Sequence, residues 1–251
     1  MGPPAPGPPA GFVLAGSDGI EWLEAKLGSG VARFTLGLDS SGNELDLGLP
    51  RPSAPGELDR VTASRRRLAE GLGFRPESVR VVDQVHGGEI RTVSTADEPG
   101  GFVPAAEPGF EADGLVTRDE SVLAISVADC AAVAISGTRG RALLHCGWRG
   151  LGTDMLERAV EMVEGRDAAI GPCIGPCCFE VGPEVAELLE VERTPRGTVD
   201  LAGIAVGRLG AVGVGEVSVA ELCTRCNPGM FFSYRRQGRA AGRQMALFSA
   251  T

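Results

Sequence analysis

From residue 115 to residue 144 the chain reads as four short apolar strands, 115–117, 122–128, 133–136 and 141–144, parted by a few residues each. Helical patterns flank this block, but strands and helices follow no clean βαβ rhythm. That combination points to an α+β fold with mixed or antiparallel sheets. An amphipathic basic helix is expected over 58–72, stopped by Gly73, and a buried strand over 78–85 closed by Gly87 and Gly88. A second helix is expected over 151–164, with Asp154 and Glu157 as its D-x-x-E start signal. A third is expected over 183–191, and short strands over 217–219, 230–234 and 244–248. Prolines mark 49–56 as a loop, and 92–111 is a long Pro/Gly/Ala-rich connection of the kind that often forms a lid.

Residues 1–10 are half proline, with neither a charged start nor an apolar h-region, and are expected to be a disordered tail rather than a secretory signal. Residues 11–251 are then expected to be a single catalytic domain. The longest apolar stretch, 122–136, is broken by Asp129 and too short to span a bilayer. A net charge of −9 argues against nucleic-acid and anionic-membrane partners. Seven cysteines, an odd number in a chain of 251 residues, favour reduced thiols or metal ligands over a disulfide framework. The expected location is the cytoplasm, and the expected state a monomer.

Scarcity carries the functional signal: the chain has two histidines. Both stand beside glycines at the ends of expected strands, His86 in Gln84-Val85-His86-Gly87 and His145 in His145-Cys146-Gly147-Trp148-Arg149-Gly150. Cys130 follows another strand in Ala128-Asp129-Cys130. Three nitrogen and sulfur ligands from three strand ends would leave one coordination position for water or substrate, the arrangement of a catalytic zinc site. Their sequence spacing forms no local metal motif. Hydrogen-bonded structural histidines and a buried structural cysteine are the ordinary alternatives.

The strand–Gly147-Trp148-Arg149-Gly150–helix passage turns free N–H groups toward a would-be anion, with Arg149 as a charged donor and Trp148 as a stacking surface or core plug. A glycine-rich turn needed only for its backbone angles is the plain alternative. Arg235 and Arg243 near the C-terminus are further candidates for phosphate or carboxylate, against a merely solvated hairpin. Cys173, Cys177 and Cys178 share a rigid turn, and Cys223 and Cys226 form one C-x-x-C. A structural zinc site drawn from these five lacks a second C-x-x-C at a matching spacing.

Taken together, QVHG (84–87), ADG-LVT (112–117), VADC (127–130), H-C-GWRG (145–150), IGPCIGPCCFEVG (170–182), LCT (222–224), FFSYRR (231–236) and GR (242–243) resemble the laccase-domain family. That family is also called polyphenol oxidase or purine nucleoside phosphorylase. The resemblance runs in order over about residues 30–248. It implies a layered sandwich of mixed sheets flanked by helices, with His86, Cys130 and His145 as metal ligands and catalytic residues. Zinc is the implied ion, with copper as the alternative. The activity implied is phosphorolysis of adenosine, inosine and methylthioadenosine, with adenosine deamination beside it; purine nucleosides and phosphate are thus the expected partners.

Some bacterial relatives are instead described as peptidoglycan-editing hydrolases that remove a misincorporated serine from a nucleotide-linked precursor. In that reading Cys130 would be a nucleophile with His86 or His145 as base. Copper-dependent phenol oxidation is a further alternative, but two histidines cannot furnish a multi-copper cluster. The chain departs from the family pattern at 34–42, where the usual arginine is missing, at Asp46, and at Ala132 in place of a proline. Asp129 or Asp83 are candidate proton shuttles, against turn or cap hydrogen bonding as their simpler role.

Overall fold

The computed structural model describes residues 8–48, 56–97, 101–105 and 110–251. Residues 1–7 of the expected 1–10 tail, the greater part of the 49–56 loop and parts of the 92–111 connection lie outside these residues. The strands form two six-stranded mixed sheets. The first, in the order β1-β2-β3-β12-β7-β4, contains β1 (Val13–Ser17), β2 (Ile20–Leu27), β3 (Gly30–Thr35), β12 (Gln244–Ser249), β7 (Val122–Val127) and β4 (Val79–Arg80). The second, in the order β11-β10-β8-β9-β6-β5, contains β11 (Glu216–Val219), β10 (Gly165–Ile170), β8 (Ala131–Gly137), β9 (Gly140–Cys146), β6 (Gly114–Thr117) and β5 (Ile90–Thr92). Antiparallel pairs dominate, and β4–β7, β10–β11 and β5–β6 are parallel.

Three apolar clusters define four layers. Phe34, Leu123, Ile125, Leu143, Ala169 and Phe248 fill the space between the two sheets. The outer face of the second sheet packs Ile135, Leu144 and Ile170 against Met155, Ala159 and Leu209 of the helices α3 (Met155–Val163) and α5 (Leu201–Ala211). The outer face of the first sheet covers Leu68 and Ala69 of α1 (Glu57–Leu72) with Trp22, Val79 and Leu247. Sheets covered on both faces need apolar residues at consecutive positions. This explains why β7, β8 and β9 read as continuous apolar runs rather than alternating ones.

Several elements differ from expectation for identifiable reasons. The 78–85 strand forms a ladder only at β4; beyond it Asp83 makes an isolated bridge with Glu111, and the Gln84 side chain donates to Ser126 O at 2.8 Å and accepts from Ser126 N at 2.7 Å. The 151–164 helix is two pieces, a single turn α2 (Trp148–Leu151) and then α3. Segment 230–234 is not a strand: it leads into the short helix α6 (Tyr234–Gln237), capped by Ser233, whose side chain accepts from Arg236 N. The third expected helix ends early, as α4 (Pro183–Leu188). Several features escaped the sequence pattern, β1, β5 and β10 among them. Helix α5 contains three glycines, poor helix formers, yet is started by Asp200, which accepts from Gly203 N at 3.0 Å. Strands β2 and β3 carry charges that obscure their periodicity, and Glu24 and Arg33 neutralise one another across the pair at 3.0 Å. Gly73 ends α1 as expected, at φ 72°.

Among the described residues no helix is long and apolar enough to cross a membrane.

Candidate metal centre

Three chain segments meet at one end of the sandwich. The first is the loop after β4. Gln84 pins it to β7, and His86 takes φ 61°, a left-handed conformation that side chains other than glycine rarely adopt. The second is the β7–β8 turn, where Asp129 at φ 88° turns the chain and presents Cys130. The third is the end of β9, where His145 pairs with Ala132 of β8. The family proline is thus replaced by a residue inside a regular ladder.

The ligand atoms of His86, Cys130 and His145 lie within 4.8 Å of one another. The two imidazoles stand edge to face, with ring centroids 4.8 Å apart. His145 is 3% exposed, Cys130 half-buried and His86 open to solvent. The trio therefore combines one deeply set ligand with one at the cavity surface.

Asp113 organises this group, a role that the sequence reading did not assign. Its carboxylate meets His145 Nδ1 at 2.7 Å and accepts from His86 N at 3.0 Å and Gly87 N at 2.5 Å. The contact occupies Nδ1 and leaves Nε2 as the other ring nitrogen for Cys130. A carboxylate behind a ligating imidazole is the usual support of a metal site. The aspartate stands in the ADG motif at 112–114, and that motif was the available signal.

Burial works against charge at each of these groups, and their mutual contacts overcome it. The Cys130 thiol is pulled down to about 6, because the charges and hydrogen bonds of His145 and His86 outweigh its burial. His145 is raised to about 9 against its own burial by Cys130 and Asp113. Asp113 is lowered, with the His145 hydrogen bond and the backbone donors outweighing burial. Without a metal the group is a thiolate–imidazolium pair backed by a carboxylate.

The donor set, one thiolate and two imidazoles within 4.8 Å of one another, fits a borderline-soft ion. Gly147 makes the same point sterically, since a Cβ there would lie 3.1 Å from Cys130 Sγ and 3.7 Å from His86 Cδ2. These residues could hold zinc or copper.

The trio lies in the wall of a cavity of about 780 Å³, within the range of small-molecule sites. Trp148, Arg149, Arg235 and Arg243 all line it, together with Arg65 and Arg239. Five arginines thus face one cavity of an acidic protein. Arg149 stacks over Trp148 at 4.3 Å. Arg235 donates to Glu180 O at 2.9 Å and lies over Phe179, and Arg243 donates to Ala241 O at 2.7 Å. Arg65 is almost fully buried and donates to the carbonyls of Leu47, Gly48, Gly101 and Phe102. The helix after Gly147 is a single turn, so its dipole is smaller than the expected continuous helix would provide.

Neither candidate proton shuttle is equal to the other. Asp129 is buried and both its oxygens are engaged, accepting from Thr224 Oγ1 and Arg235 N at 2.6 Å each. It is a structural tie. Asp83 lines the cavity, and its backbone is held by Phe110 and Ala112. Asp46, at the place of the departed family residue, accepts from Arg243 N at 2.9 Å and so orients that arginine's backbone.

The sequence and fold are shared with known proteins. The family described as multi-copper polyphenol oxidoreductase laccase matches residues 43–251. Purine nucleoside phosphorylase YlmD of Geobacillus stearothermophilus is 33% identical over 214 residues, covering 74% of this chain and 77% of the relative. Purine nucleoside phosphorylase YfiH of Escherichia coli K12 is 32% identical over 206 residues, covering 76% and 80%. The crystal structure of YlmD from Geobacillus stearothermophilus superposes with a TM-score of 0.80 at 29% identity, covering 91% of this chain and 96% of that one. The chain therefore belongs to the multi-copper polyphenol oxidoreductase laccase family, alongside relatives named as purine nucleoside phosphorylases.

Proposed function

We propose that residues 11–251 act as one catalytic domain, a cytoplasmic, zinc-dependent phosphorylase of adenosine, inosine and methylthioadenosine that also deaminates adenosine. One observation carries the reading: a His86–Cys130–His145 cluster in the wall of a cavity that five arginines line. A nucleoside and a phosphate need a flat apolar surface and cationic donors side by side, and Trp148 with Arg149 supplies both in one stacked pair. The names of the curated relatives support the same substrate class.

His86, Cys130 and His145 would hold the zinc, which when bound supplies Lewis-acid activation. Asp113 holds His145 Nδ1, so Nε2 would be the ring nitrogen available to the metal. Arg149, Arg235 and Arg243 would orient phosphate for attack on the anomeric carbon, where the bond to the purine nitrogen breaks and the base leaves with a proton. In deamination, water would add at C6 of adenosine and ammonia would leave. Asp83, which lines the cavity, would serve these proton transfers, since both oxygens of Asp129 are engaged.

Metal analysis with a nucleoside panel, with and without phosphate, tests this on wild type and His86→Ala. Inosine should be split only when phosphate is present, and the variant should be inactive. A metal-replete wild type inert toward all three nucleosides would overturn the reading.

A second reading has its own observation. The lowered Cys130 thiol, His145 and Asp113 form a nucleophile, base and orienting carboxylate in sequence. This suits amide hydrolysis of a nucleotide-linked peptidoglycan precursor. Such an activity would be abolished by a thiol alkylator and would survive a chelator, which a zinc-dependent activity would not. Phenol oxidation through copper at the same trio would be slow, because a chain with two histidines cannot supply a multi-copper cluster.

A further inference from the structure

Four of the remaining cysteines converge away from the cavity trio. Cys177 and Cys178 sit on the turn after β10, and Cys223 and Cys226 on the turn after β11. The two strands are parallel neighbours, and a further parallel bridge between Cys173 and Cys223 brings the turns together. The four sulfurs lie within 4.8 Å of one another. Cys178 Sγ is 3.3 Å and Cys177 Sγ 3.6 Å from Cys226 Sγ. Zinc–sulfur bonds of about 2.3 Å in a tetrahedron put the sulfurs about 3.8 Å apart. Both distances fall a few tenths of an ångström short of that edge, no pair of the four sulfurs exceeds 4.8 Å, and all four cysteines are free.

The surroundings fit ligated thiolates. Gly175 N donates to Cys223 Sγ at 3.3 Å. A Cβ at Gly175 would lie 3.3 Å from Cys223 Cβ and 3.4 Å from Cys177 Sγ, so the turn admits a side chain only by giving way. The Cys223 carbonyl is held by Asn227 Nδ2 at 2.8 Å, and Arg236 clamps the C-x-x-C turn through Thr224 O and Arg225 O at 3.0 Å each. One cysteine pair alone is not a zinc motif. The partner that sequence spacing failed to supply is the adjacent Cys177–Cys178 pair, delivered by the parallel pairing of β10 and β11.

We infer that Cys177, Cys178, Cys223 and Cys226 form a second, structural metal site that takes zinc in all-thiolate coordination. Its place explains its use. Thr224, inside the C-x-x-C, donates to Asp129 next to Cys130, and Arg235 N bonds the other oxygen of Asp129. The 170–182 turn contributes Ile174 and Phe179 to the cavity, and the segment after Cys226 contributes Tyr234 and Arg235. A metal joining the two turns would staple that wall. This inference does not depend on the phosphorolysis reading.

The test uses the full chain purified under reductant, with zinc quantified and sulfur coordination read by X-ray absorption. The double variant His86→Ala/His145→Ala dismantles the cavity trio and leaves the four cysteines intact. It should retain about one zinc per chain, surrounded by sulfur only at about 2.3 Å. Cys177→Ser/Cys226→Ser should lose that equivalent, and wild type should hold both. The inference fails if the histidine variant is zinc-free, if its zinc shows nitrogen or oxygen ligands, or if Cys226 is recovered disulfide-linked to Cys177 or Cys178 from reduced protein.

Discussion

Asp113 Oδ1 lies 2.7 Å from His145 Nδ1, and neither side chain is more than 3% exposed. The same carboxylate holds the backbone of His86 and Gly87. One buried aspartate thus sets the ring of one histidine and the loop of the other. Removing it as Asp113→Asn should weaken metal binding about 10- to 100-fold, the usual cost of losing a carboxylate behind a ligating imidazole. Competition with a chromophoric chelator measures this. Unchanged affinity would show that the contact does not support the ligands.

In metal-free protein, Cys130 should ionise far below an ordinary thiol. Its pKa of about 6 is depressed, so the reactive thiolate is present above that pH and lost as pH falls through it. Iodoacetamide labelling of Cys130, followed by peptide mass spectrometry, should show a midpoint near that value. Cys146, the next residue after His145, is buried and pushed strongly up, and should stay unlabelled in the same sample. A Cys130 midpoint above pH 8 would contradict the thiolate–imidazolium pair.

Gly147→Ala probes the space between the ligands. The backbone there has φ −71°, ordinary for any residue, so the effect should be steric rather than conformational. A methyl group 3.1 Å from Cys130 Sγ must displace the sulfur or the His86 loop. We expect native circular dichroism with turnover reduced ~10- to 100-fold, the scale of a small misplacement at a reacting centre. A fully active variant would mean that the trio tolerates displacement.

Arg65 is a buried cation whose partners are backbone carbonyls of two separate loops, and burial lowers its pKa to about 10 although Asp46 acts in the other direction. Arg65→Ala would strand those acceptors and should cost about 3 kcal/mol or more. Arg65→Lys should recover only part, because an ammonium lacks the planar fork. Urea unfolding midpoints give both values. A neutral Arg65→Ala would imply that water replaces the guanidinium at no cost.

Asp119 shapes acid stability. Burial disfavours its charge, but donors from Thr95, Ser121 and Thr117 outweigh that and hold its pKa well below the ordinary carboxylate range. Its contribution is complete above the unfolded value of about 3.9 and fades as pH falls below it toward the folded value. Asp119→Asn should therefore be less stable at neutral pH and flatter in stability below pH 4 than wild type. Parallel acid limbs in the two proteins would exclude this role.

Residue types and short-range pattern carried a good part of this protein. The two histidines could be singled out because they are scarce and stand beside glycines at strand ends, and the VADC cysteine because it follows another strand. Apolar runs at β7, β8 and β9 were legible because strands covered on both faces must be apolar at every position. Gly73 marked the end of α1 because its left-handed geometry favours glycine.

What the sequence left open depends on long-range pairing. Asp113 stands in the ADG motif, but its place under His145 is set only when β6 and β9 pair. Arg65 shares the buried face of α1 with Val61 and Leu68, but only the packing of two distant loops supplies its carbonyl partners. Cys177–Cys178 and Cys223–Cys226 become neighbours solely through the parallel alignment of β10 and β11. Local pattern reports which residues are capable of chemistry, whereas their distances follow from strand register, which spans many tens of residues and leaves no trace in sequence spacing.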